Sequence, residues 1–146
     1  MAPLLHDPAV RDSIRARVQK LQPDATRVWG KMTVDQMLWH CNVALEAALG
    51  RMPLEQMKLP LPKPVLKFMM LNMPWPKSAP THPSFFAGER KNFDAEKARA
   101  LRLIDEFTAK RIDAPDWGVS GMGPLSGTDM SRLHAKHLNQ IGRAHV

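Results

Sequence analysis

The chain has 146 residues, of which 44% are hydrophobic and 24% charged, with a formal net charge of +7. That length suits a single domain that buries roughly 68–70% of its unfolded surface, and no apolar run reaches the roughly 18 residues of a membrane span. The lone Cys41 allows no intrachain disulfide, and the first ten residues have no long apolar run and carry Asp7 early, so we expect no signal peptide and a soluble, cytoplasmic protein.

A pI near 10.0 invites a nucleic-acid reading. The cations, however, are spread out. Arg11, Arg15, Arg17 and Lys20 fall on the first helical segment, and Arg90, Lys91, Lys97, Arg99, Arg102, Lys110 and Arg111 on or near the third long one. Glu89, Asp94, Glu96, Asp105 and Glu106 interleave with the second group. Mixed charge of this kind reads as solvated helix faces, and nucleic acid is disfavoured as a partner.

In chain order, Asp7 is a good N-cap and Pro8 suits a first helical position, so a helix is expected from Pro8 to Leu21. Val10, Ile14, Val18 and Leu21 form its apolar stripe, and Pro23 ends it. Thr33 to Gln36 has the spacing of a capping box. A second helix follows with a wide apolar face, Met37, Leu38, Cys41, Ala44, Leu45, Ala48 and Leu49, and Gly50 supplies its stop.

Eight of the 13 prolines lie between Gly50 and Phe93, in a connection too long to be a default link. Val65 to Met73 is expected to form one short helix there. From Met57 to Lys77, lysines alternate with apolar residues, which suits a lid laying its apolar side on the rest of the protein better than an anionic membrane surface, so a membrane partner is disfavoured.

A third long helix is expected from an Asp94 cap to Ile112, with Ala100, Leu103, Ile104 and Phe107 inward. A fourth starts near Ser126 or Thr128, and its stripe holds Met130, Leu133, His134, His137, Leu138 and Ile141. No segment alternates with a two-residue period. The expected class is all-α, a four-helix bundle with a long Pro-rich crossover containing a short helix.

The histidines carry the chemistry. His40 sits in the middle of the second long helix, and His134 and His137 on the apolar stripe of the last. Residues three or four apart share a helix face, so imidazoles there can reach one ion, and bundles build metal sites from inward side chains of different helices. The competing reading is a set of hydrogen-bonded core histidines. His6, His82 and His145 fall in a terminus, a loop and the tail and rank lower. Cys41 lies about 100° round the helix from His40 and is read as a small packing residue. Glu46 lies on another turn, so no carboxylate is set beside His40.

The stretches Trp29–His40 (WGKMTVDQMLWH), His82–Phe86 (HPSFF) and Gly123–Asn139 (GPLSGTDMSRLHAKHLN) resemble the DinB/YfiT-like superfamily, and within it the domain-of-unknown-function family fifteen-sixty-nine. The resemblance covers most of the chain. It implies a four-helix bundle holding a divalent metal (zinc, nickel or iron) on three histidines, one from the second helix and two from a His-x-x-x-His arrangement on the last. His40 matches the first ligand and His137 the second, while the third position holds Ile141, which cannot ligate. Met130 also stands where the family commonly has tryptophan.

The departure begins at Gln140. Gln140 to Val146 back-translates to a string resembling a short-read sequencing adapter, so we expect a domain over residues 1–139 and a non-native tail over 140–146. The function implied is a metal-binding protein, a metal-dependent thiol transferase or hydrolase acting on a small molecule, whose third ligand is missing from this chain. The alternative is a non-catalytic helical bundle acting through homodimerisation or partner binding.

Overall fold

The computed structural model describes residues 3–25, 32–52, 61–73, 88–120 and 123–142. Expectations resting on residues 29–31, 53–60, 74–87 (His82 among them) and 143–146 (His145 among them) lie outside the described residues, as do the side chains of Gln140 and Ile141.

The described chain is helical, with helices α1 (Pro8–Lys20), α2 (Val34–Ala48), α3 (Lys63–Asn72), α4 (Phe93–Ala109) and α5 (Gly127–Gly142). One antiparallel pair of two-residue strands, β1 (Val119–Ser120) and β2 (Gly123–Pro124), sits between α4 and α5. Strands this short leave no period in the sequence, which is why alternation gave no sign of them.

Cap chemistry sets the helix ends. The Asp7 carboxylate accepts the Ala9 N–H at 2.9 Å and Pro8 follows it, so α1 starts where expected. Gln36 Oε1 accepts the Thr33 N–H at 2.9 Å, the return half of a capping box at the start of α2. At the other end, Gly50 takes φ 78° while its N–H reaches Ala47 O and the Arg51 N–H reaches Glu46 O, a Schellman closure that a side chain at Gly50 would strain. The cap of α4 is Asn92 and not Asp94: Asn92 Oδ1 accepts the Ala95 N–H at 2.9 Å, leaving Asp94 and Glu96 in the first turn. That helix stops at Ala109, three residues short of expectation, because Lys110 turns extended and its carbonyl meets His6 Nε2 at 2.8 Å.

Cross-helix bonds give the directions. Asn42 Nδ2 donates to Glu96 O at 2.9 Å, and Arg51 lies beside Glu106 at 2.5 Å, so α2 and α4 run parallel. Lys97 Nζ donates to Gln19 O and Leu21 O at 2.7 and 3.0 Å, and Arg15 meets Asp105 at 2.8 Å, so α1 runs antiparallel to α4. The same lysine satisfies carbonyls at the end of α1 that no later turn can reach. The Gly118 N–H donates to Ala48 O at 2.7 Å, so α5 departs from the C-terminal end of α2 and runs back along it. A Cβ at Gly118 would collide with the Ala47 carbonyl, so only glycine permits this approach. Two parallel neighbours need the chain to return over their full length between them, which is the physical reason for the long connection from α2 to α4.

α1, α2, α4 and α5 share one core, with Leu5, Leu38, Leu45, Leu103, Ile104, Phe107 and Met130 all but fully buried. α2 is its centre, with twelve of its 15 residues buried, as expected of a helix apolar on most sides. α3 lies outside on α5, held by Lys136 Nζ on Met70 O at 2.8 Å and on Met73 O, and by a 2.9 Å ion pair between Lys67 and Asp129. The expected lid is therefore corrected in part. Only Leu71 of α3 is buried, while Val65, Phe68, Met69 and Met73 face outward, because backbone carbonyls and charge make most of the attachment.

Asp35 is the one carboxylate buried at the start of α2, 1% exposed. Its oxygens accept from Arg90 at 3.0–3.2 Å and from the Lys91 N–H at 2.7 Å, tying the approach of α4 to α2. Burial alone would raise this carboxyl, but the Arg90 and Lys91 bonds outweigh it and hold it well below the usual carboxylate range. Asp35→Ala is expected to lower the unfolding free energy by about 1–3 kcal/mol at pH 7, read from urea denaturation. Because the folded pKa is depressed, that contribution is full above the unfolded value of about 3.9 and is lost as pH falls below it. A variant difference that stays constant from pH 7 to pH 3 contradicts the assignment.

Candidate metal site

The antiparallel run of α2 and α5 brings the middle of α2 beside the last third of α5. His40 and His137 meet there. Their Nε2 atoms lie 3.0 Å apart, with ring centroids at 4.9 Å and planes at 69°. Both positions face inward for the same reason, the 3.6-residue period that also buries Met37 and Leu38 on α2 and Leu138 on α5. An Nε2–Nε2 contact of this length is a hydrogen bond in which one ring donates and the other accepts, so the accepting imidazole is neutral and protonated on Nδ1.

His134 flanks the pair one turn earlier on α5. Its ring lies 6.4 Å from that of His137 and packs on Phe107 at 5.3 Å. Its Nδ1 is buried with no hydrogen-bond partner among the described residues. Burial pushes the His134 imidazolium down to about 4. His137 is pushed well below its ordinary value, first by burial and then by the charge His40 and His134 would carry beside it. His134 and His137 are therefore neutral at pH 7, the form in which imidazole ligates a metal.

Cys41 does not join them. It is 4% exposed, its Sγ points at Met37 Sδ 3.9 Å away, and burial pushes its thiol up to about 12, far from the thiolate that attacks or ligates. Glu46 faces away, towards Arg51 and Arg99 at 3.9 and 3.8 Å. Among the described residues, no three His, Cys, Asp or Glu side chains gather as a metal-holding group.

Two nitrogens bound to one ion at about 2.0–2.1 Å in tetrahedral geometry stand about 3.4 Å apart. The observed 3.0 Å is a few tenths short of that edge, so His40 and His137 fit as two adjacent ligands after a small rotation. The pair offers two nitrogen donors, one fewer than the three protein ligands of an open catalytic zinc site.

His6 is the residue that sequence reasoning undervalued. Its Nε2 donates to Lys110 O at 2.8 Å, which makes Nδ1 the acceptor of the Ser131 hydroxyl at 2.8 Å, and the His6 N–H donates back to Ser131 Oγ at 3.0 Å. Its ring packs on Phe107 and Trp117 at 5.3 and 5.7 Å. It is a clamp joining the N-terminus, α4 and α5, with both ring nitrogens committed, and it stands apart from the His40 pair. Its place directly before the Asp7 cap was the only hint of an anchored start.

No family model, curated protein or solved structure matches this chain.

Proposed function

We propose that the chain is a four-helix bundle of the DinB/YfiT-like kind that binds a divalent metal through His40 and His137. The single observation that carries this reading is the 3.0 Å convergence of two Nε2 atoms from different helices in a partly buried contact. It is supported by the depressed His137 pKa, which keeps that ring deprotonated and able to ligate at neutral pH. His134, one turn earlier on α5, packs its ring on the buried Phe107 at 5.3 Å beside the pair.

A bound divalent ion would supply a Lewis acid that lowers the pKa of a coordinated thiol or water, the chemistry of a thiol transferase or hydrolase. The chain's own residues hold and orient it. With isoleucine at position 141 the site is one ligand short of the three-histidine pattern, so binding is expected to be weak.

The test is a Zn²⁺ titration of the unmodified chain beside His40→Ala and His137→Ala. Each substitution is expected to weaken binding at least about tenfold, a loss no smaller than outer-shell partners produce. Unchanged affinity in both variants, with the fold intact by circular dichroism, refutes the reading.

A further inference from the structure

On the side of α5 away from the histidine pair, a cleft of about 400 Å³ opens between α1, α3 and α5. That volume falls in the range of about 300–1,000 Å³ typical of small-molecule sites. Its walls divide by chemistry. Val10 and Ile14 of α1 and Leu71 of α3 make an apolar side, and Arg17, Arg132 and Lys136 supply three cations. No carboxylate lines it among the described residues.

The cations are unusual in where they stand. Arg17 falls three residues after Ile14 and seven after Val10, so it occupies the apolar stripe of α1 and not the solvent face. Arg132 Nε is buried with no hydrogen-bond partner among the described residues. A buried guanidinium N–H left without an acceptor is costly, and a bound anion removes the cost. The carboxylate nearest Arg132 in sequence, Asp129, pairs with Lys67 at 2.9 Å.

We propose that this cleft binds a small organic anion, a carboxylate bearing a short aliphatic chain. Its head accepts from Arg132 and Arg17, since guanidinium groups match the planar carboxylate. Its tail lies on Val10, Ile14 and Leu71. The apolar wall selects against inorganic phosphate, which has nothing to place there. Leu71 makes α3 part of the site, so the Lys136 and Lys67 contacts that dock α3 also hold the cleft closed on that side. The site is independent of the metal reading and stands or falls separately.

The experiment is calorimetric titration of the unmodified chain with sodium octanoate, with octylammonium chloride as a probe of equal tail and opposite charge. One equivalent of octanoate is expected to bind at least about tenfold more tightly than octylammonium, the factor that charge-assisted hydrogen bonds supply. Arg132→Gln, and separately Arg17→Gln, should each remove about that factor while circular dichroism shows the fold retained. Equal binding of the two probes overturns the proposal, as does inorganic phosphate displacing octanoate at equal concentration. So does octanoate affinity preserved within about twofold in a folded Arg132→Gln protein. If the variants do not fold, the probe pair on the unmodified chain decides alone.

Discussion

Placing histidine at both position 140 and position 141 (Gln140→His with Ile141→His) is expected to tighten Zn²⁺ binding at least about 100-fold. Position 141 lies four residues after His137 on α5, one turn further along the same face. A histidine there would join the two Nε2 atoms that already converge at 3.0 Å and raise the protein donors from two to three. Three protein ligands with an open fourth position is the arrangement of catalytic zinc sites. Disturbing even the outer-shell partners of a bound metal costs about 10–100-fold, so gain of a whole ligand should exceed that range. Titration of the paired variant beside the unmodified chain measures it. Equal affinity in the two proteins removes position 141 from the site.

Phe107→Ala is expected to lower the unfolding free energy by about 3–5 kcal/mol, the cost of emptying a large aromatic site in a core that collapses only partly. In a chain of this size that corresponds to a fall in Tm of about 10–20 °C. Phe107 is fully buried and is the ring on which three others rest: Trp117 at 4.8 Å, and His6 and His134 at 5.3 Å each. Its loss therefore uncouples the N-terminal clamp, the α4–α5 connection and the histidine face together. Urea denaturation reads the change. A loss below about 1 kcal/mol, the scale of a surface substitution, would mean that this ring is not central to the packing.

The helices were legible because three independent signals agreed. Apolar residues recur at the 3.6-residue period, cap residues precede the runs, and Gly50 and the prolines break them. The inward placement of His40 and His137 followed from the same period, and their approach needed only that the two helices be neighbours. Long-range polar ties were not legible. Lys136 on the carbonyls of Met70 and Met73, Arg90 on Asp35 and His6 on Ser131 each join residues more than 50 positions apart. Such bonds carry no local pattern, since any lysine or arginine of suitable reach could make them. Asn92 displaced Asp94 as a cap because both are good caps two residues apart, and only backbone geometry separates them. Arg17 was legible in principle. A guanidinium on the stripe of Val10, Ile14 and Leu21 breaks the local rule, and rule-breaking of this kind marks sites.

His40 and His137 are proposed to ligate one ion together. Zinc-edge X-ray absorption on the unmodified chain, loaded with one equivalent of Zn²⁺, tests it most directly by identifying the ligands. Two imidazoles at about 2.0–2.1 Å are expected, the remaining positions filled by oxygen, with no sulfur shell at about 2.3 Å. Loss of the imidazole scattering in His40→Ala should accompany it. A sulfur shell, a single imidazole, or a spectrum indifferent to His40→Ala would mean that the two histidines do not share an ion.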